Sequence, residues 1–149
     1  MRSMFRNVAA AVALCALGAV QAETVQEAKA LQDAALAEIK AKGLDAAVKD
    51  FNAGGRWNKG SLYIVVANFN GDMIAHSANE KIVGKNMLEA KDAGGRPFVK
   101  DAIAAVKGSG GTQFDIRWGN PVTKQIADAV FITRRVPGAD AYIGTVVFK

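Results

Sequence analysis

From Gln113 to the C-terminus the chain has room for little except antiparallel strands. Gln113 to Trp118 alternates, with Phe114, Ile116 and Trp118 on one face and Asp115 and Arg117 on the other, the period of a half-buried strand. Asn120-Pro121 signals a turn, Ile126 to Val136 is extended, Pro137-Gly138 turns again, and Ala141 to Phe148 is a second apolar extended run. Strands joined this closely pair antiparallel, because a parallel neighbour needs a crossover of a dozen or more residues. The fold class that follows is α+β, not a Rossmann-type arrangement.

Helical patterns come before these strands. Val25, Ala28, Leu31, Ala35 and Ile39 recur at three and four within Glu23 to Ala41, and Lys42-Gly43 marks the end of that helix. Leu44, Ala47, Val48 and Phe51 form one face of a second, shorter helix, stopped at Asn52-Ala-Gly-Gly55. Leu62 to Ala67 is β-branched and aromatic and predicts a central strand. Asp72 to Ser77 returns as its partner, with Asn70-Gly71 as a two-residue hairpin signal. A polar loop with room for one helical turn runs from Ala78 to Gly95. Pro97 then opens a third helix, whose face is Val99, Ala102, Ile103 and Val106.

The N-terminus has a different design. Arg2 and Arg6 precede an apolar run from Val8 to Val20, and Val20-Gln21-Ala22 fits a signal-peptidase site, so residues 1–22 are expected to be a leader cut after Ala22. Cys15 lies inside that run and leaves with it. The mature chain, 23–149, then has no cysteine and a net charge of +3 in place of +5. It needs an ordinary core rather than disulfides, and its expected place is the periplasm or the secreted space. About 127 residues without a linker-like tract suit one domain, with no output module attached. No basic block with interleaved aromatics occurs, which disfavours nucleic acid as a partner.

Enzyme chemistry finds little support. HExxH, CxxC and GxSxG are absent, and Asn79 stands where a phosphate-binding loop ending at Gly84-Lys85 would need glycine. His76 is the only histidine, too few for an ordinary zinc site. Its neighbour Ser77 should point to the opposite face of a strand. No catalytic residue, metal site or cofactor is assigned. A small-molecule pocket fits better, since it needs apolar walls and a few polar groups. Arg117 is a suitable carboxylate anchor, or else a solvated arginine on an open sheet face. Trp57 and Tyr63 line such a pocket or belong to the core.

The motifs Trp57, Gly60, Leu62 and Tyr63, then Gly71 to His76, Val83 to Asn86, Lys91 to Val99 and Arg117 to Thr123 occur in an order that resembles the single Cache domain family. The resemblance covers nearly all of 23–149. It implies a PAS-like fold, with a long N-terminal helix behind a five- or six-stranded antiparallel sheet and a helix and loops over the other face. It also implies an extracytoplasmic sensor for a small carboxylate, with a membrane receptor or kinase as partner. By position, Tyr63, His76, Arg117 and Trp118 become the ligand-binding candidates, with His76 alternatively a strand-end histidine satisfied by backbone groups, and Asn86 and Asp92 brace the covering loop. Two positions depart from the pattern: Ala129 and Ile132 stand where similar domains commonly show a lysine and then an aromatic, which makes the pocket less cationic.

Two functions remain in competition. One is a free-standing carboxylate-binding module; the other is a ligand-free interaction protein that uses the same scaffold. Haem binding through His76 is a third and weaker reading.

Overall fold

The computed structural model describes residues 23–149; the expected leader, with Cys15, lies outside the described residues. Helix α1 (Val25–Lys42) starts from a capping box. Thr24 Oγ1 accepts from the Glu27 amide at 3.1 Å, and the Glu27 carboxylate accepts from the Thr24 amide at 2.7 Å. Glu23 stays outside the helix because its carboxylate accepts from the Ser61 amide and hydroxyl. The buried stripe is Ala28, Gln32, Ala35 and Ile39. Gly43, at φ +85°, ends α1 and leads directly into α2 (Leu44–Asn52), which buries Ala47 and Phe51. Full burial of a phenylalanine such as Phe51 contributes about 1.5–3 kcal/mol.

The extended run after Gly60 is not one strand. Asn58–Lys59 (β1) and Leu62–Tyr63 (β2) form their own small hairpin, and the chain is re-aimed at Ile64 before Val65–Asn68 (β3) enters the main sheet. Met73–His76 (β4) pairs with β3. Their connection, residues 69–72, is longer than the expected two-residue turn. The Gly71 amide closes back on the Asn68 carbonyl at 3.0 Å, and the Asn68 amide bonds to Asp72 O at 3.0 Å. Gly71 is obligatory there: it has φ +89°, and a Cβ would stand 2.7 Å from Leu88 Cβ.

A 3₁₀ turn (Glu80–Ile82) and an irregular loop lead to α3 (Phe98–Ser109), with Pro97 at the cap position just before the first helical residue. The last three strands are β5 (Gly111–Gly119), β6 (Ile126–Arg135) and β7 (Ala141–Phe148). All pairs in the main sheet are antiparallel, in the order β4-β3-β7-β6-β5. The architecture is therefore the α+β, PAS-like one that the sequence resemblance implies, with five strands in the main sheet.

Each face of the sheet has its own core. Ile64, Val66, Ala75, Val136 and Ile143 pack under α1 and α2, and Ile132 and Val147 pack against Ala28 of α1. On the other face Val65, Ala67, Met73, Ile116, Phe131, Tyr142 and Val146 meet α3 and the covering loop. Beneath α1, Gln32 Nε2 donates to the Ile132 carbonyl at 2.8 Å.

Candidate functional site

The site begins with an irregularity in β4. Val65 faces His76 and Val66 faces Ala75, but Ala67 faces Met73, which leaves Ile74 as an extra residue. Residues three apart on a regular strand lie on opposite faces. The bulge restores the phase, so Met73 and His76 both reach the α3 side. β4 is an edge strand, and α2 covers part of its free backbone. Asn52 Oδ1 accepts from the His76 amide at 2.9 Å, and Asn52 Nδ2 donates to the Ile74 carbonyl at 3.3 Å. In the sequence Asn52 reads only as a helix stop.

The His76 ring is held from two sides. It stacks on Tyr63, with centroids 4.8 Å apart and planes 18° from parallel. Nδ1 accepts from the amides of Asn79 at 3.0 Å and Ala78 at 3.3 Å. An occupied Nδ1 acceptor places the neutral ring's proton on Nε2, which is left as a donor. Burial pulls the pKa of His76 down to about 4, so the ring is neutral near pH 7. Burial also raises the pKa of Tyr63 and outweighs the opposing effect of the Trp118 side chain. Trp118 packs on Phe98 at 4.8 Å.

Tyr63, His76, Trp118 and Ile82 form a shared wall. Inside it is a cavity of about 30 Å³, lined further by Met87, Phe98, Phe131 and Tyr142. Outside it is an open groove of about 710 Å³. Lys81, Lys91, Lys124 and Arg117 border the groove, together with one carboxylate, Asp92. The oxygens of Asp92 are already occupied: Oδ1 accepts from the amides of Gly94 and Arg96 at 2.9 and 2.7 Å, and Oδ2 from the Arg117 amide at 2.8 Å. Burial alone would raise its pKa; those three amides and the Arg96 charge outweigh this and hold it below the ordinary value. The groove is thus a cationic funnel over an apolar chamber, and the wall between them presents an imidazole N–H.

The proposed site residues do not all meet. Tyr63, His76 and Trp118 converge on the wall. Arg117 borders the groove, but its side chain is exposed and its Nε lies 3.3 Å from Asp128 Oδ1, its cross-strand neighbour. Trp118, one residue on, turns toward the cavity, as strand alternation requires. Asp92 ties the loop to the edge of β5. Asn86 joins the loop to the β3–β4 turn, its Nδ2 donating to Asn70 O at 2.9 Å and to Asp72 Oδ1 at 2.8 Å.

Ala129 and Ile132 prove to be on different faces. Ala129 is buried on the cavity side, whereas Ile132 packs under α1. The aromatic on the cavity side of this strand is Phe131, the neighbour of Ile132. Tyr142 and Gly144 on β7 were not singled out by sequence. They read as core strand residues, and only the fold brings Tyr142 to the cavity and Gly144 against Phe131.

Other hollows lack this construction. The one at the α1–α2 junction is bordered by exposed lysines and aspartates, of which Lys42 and Asp50 pair with each other. No cluster of metal-ligating side chains occurs among the described residues, and no described helix is long and apolar enough to cross a membrane.

A family model described as single Cache domain 2 matches residues 14–148. Among solved structures, a methyl-accepting chemotaxis protein from Vibrio parahaemolyticus matches with a TM-score of 0.68 and 22% identity, over 83% of this chain and 86% of that one. A structure described as the periplasmic sensor domain of a chemotaxis protein gives 0.64 and 17%, over 83% and 88%. A third, concerned with carboxylic acid recognition by a Cache chemosensory domain, gives 0.64 and 19%, over 83% and 86%. These likenesses are of fold. No curated protein matches the chain.

Proposed function

The chain belongs to the single Cache domain 2 family, and from that premise we propose that it is an exported sensor-type domain that binds a short carboxylate and passes the signal to a membrane receptor or kinase. The observation that carries this reading is the Nε2–H of His76, held in the wall between a cationic groove and an apolar chamber. A carboxylate needs donors and a positive surrounding field at one end and an apolar fit at the other. The donors at the wall are His76 and the Tyr63 hydroxyl. Lys81, Lys91, Lys124 and Arg117 border the groove and supply the surrounding positive field. One structural neighbour is described as recognising carboxylic acids. The expected leader would deliver the domain outside the cytoplasm.

The chamber has room for about one or two waters. A two- or three-carbon acid therefore enters only with a shift of the wall or of the loop side chains Ile82 and Met87. Methionine is well suited to such repacking.

A second reading is an interaction protein without a ligand. It is favoured by the same small volume and by Ala129, where similar domains commonly carry lysine.

A thermal-shift screen of the purified protein against short carboxylates and amino acids, followed by calorimetry, separates the two. Carboxylate binding at a hundredfold excess over Kd should stabilise the protein by about 2.7 kcal/mol. No shift with any acid, from a sample that melts cooperatively, would turn the assignment to the interaction protein.

A further inference from the structure

We infer that Tyr142 is a specificity-determining residue that makes the chamber select acids carrying a hydroxyl or keto oxygen in addition to the carboxylate. This rests on the carboxylate reading above and adds a second recognition point to it.

Tyr142 stands in the middle strand of the sheet and is fully buried. It lines the chamber, but not the groove. Its hydroxyl has no hydrogen-bond partner among the described residues. The chamber it lines is mostly apolar, with Val65, Met73, Phe98, Phe131 and Val146, and the polar side chains that share it, Tyr63, His76 and Trp118, do not reach its hydroxyl. A buried hydroxyl without a partner carries a desolvation cost and is rare in a well-packed core. Phenylalanine would fill the same space without that cost.

The residues are ordered by depth. Tyr63 and His76 border both groove and chamber, so a carboxylate at their donors lies at the boundary. Tyr142 borders only the chamber, so it meets the end of the ligand that enters it. A purely aliphatic tail gives the hydroxyl nothing. A hydroxyl or keto oxygen one or two bonds from the carboxylate gives it a neutral hydrogen bond. Sites that hold a polar group ready for a ligand oxygen discriminate against the analogue that lacks it.

The test is calorimetric titration of the wild-type protein and Tyr142→Phe with propionate, lactate and pyruvate. In the wild type, lactate or pyruvate should bind on the order of tenfold more tightly than propionate, the effect of one neutral hydrogen bond. Tyr142→Phe should erase that preference by weakening the substituted acid, with propionate unchanged. Equal wild-type affinities for all three acids would overturn the inference and leave the carboxylate reading intact, as would a preference that survives in Tyr142→Phe. Binding of none of the acids overturns both. The wild-type comparison needs no variant, and a thermal melt checks that Tyr142→Phe is folded.

Discussion

The imidazole of His76 lies flat against the phenol of Tyr63, 4.8 Å between centroids, while the amides of Ala78 and Asn79 occupy its Nδ1. Stacking fixes the plane of the ring, and the two amides fix its tautomer. What remains free is one N–H at the boundary between groove and chamber.

If that N–H meets the ligand's carboxylate, His76→Ala should weaken acid binding by roughly ten- to a hundredfold, the range for a hydrogen bond to a charged group. Arg117 acts at a distance and is already paired with Asp128. Arg117→Ala should cost only about two- to threefold at low salt, and less at high ionic strength. Titrations of both variants at two salt concentrations check this. Equal losses at both salts for the two variants would contradict the geometry.

Stability should fall between pH 7 and pH 5. The folded pKa of His76, about 4, lies below its ordinary 6.5, so the unfolded chain takes up the proton first. The stability tied to the neutral ring is whole above about pH 6.5 and is lost as pH falls toward 4, about 3 kcal/mol in all and about 2 kcal/mol of it by pH 5. Urea unfolding at the two pH values measures it, and His76→Asn should flatten the difference. The lowered pKa of Asp92 acts in a separate window: its contribution is present above the usual carboxylate value of 3.8 and is lost below it.

Asp92→Ala removes the acceptor for three backbone amides at once. The expected loss is about 2–4 kcal/mol, with Asp92→Asn intermediate because it keeps one carbonyl oxygen. Denaturant midpoints test the order. Hydrogen exchange should show the Gly94, Arg96 and Arg117 amides opening first.

Gly144 sits beneath the chamber on β7, where a Cβ would stand 2.6 Å from Phe131 Cε2 and 2.9 Å from a Val65 methyl. Gly144→Ala should therefore push Phe131 toward the chamber and destabilise the fold by about 1–3 kcal/mol. Acid binding should weaken in parallel. A variant as stable as the wild type with unchanged affinity would mean that Phe131 has another place to go.

The layout was legible wherever a pattern ran long enough to have a phase. Phe114, Ile116 and Trp118 alternate over a nine-residue strand, and their facing follows from period two alone. The Ala141 to Phe148 strand has the bounds expected from sequence. β4 has only four residues, and one of them is a bulge, so no alternation could announce that Met73 and His76 share a face. The Leu62 to Ala67 run looked continuous because every residue in it is buried, which conceals the break at Ile64. The guanidinium of Arg117 identifies a carboxylate anchor by chemistry alone; its pairing with Asp128 depends on the β5–β6 register, which no local motif encodes. Asn52 and Tyr142 matter through partners, or the lack of one, that only the assembled sheet defines.

The bond from Asn52 to the His76 amide gives this residue a place in two layers. Its ring belongs to the chamber wall, while its peptide is fastened to the last turn of α2 on the far side of the sheet. A tilt of the imidazole large enough to turn its peptide plane would strain a bond to a helix, not to solvent. The sheet here is less a partition than a pivot, and α2 is the lever on its other side.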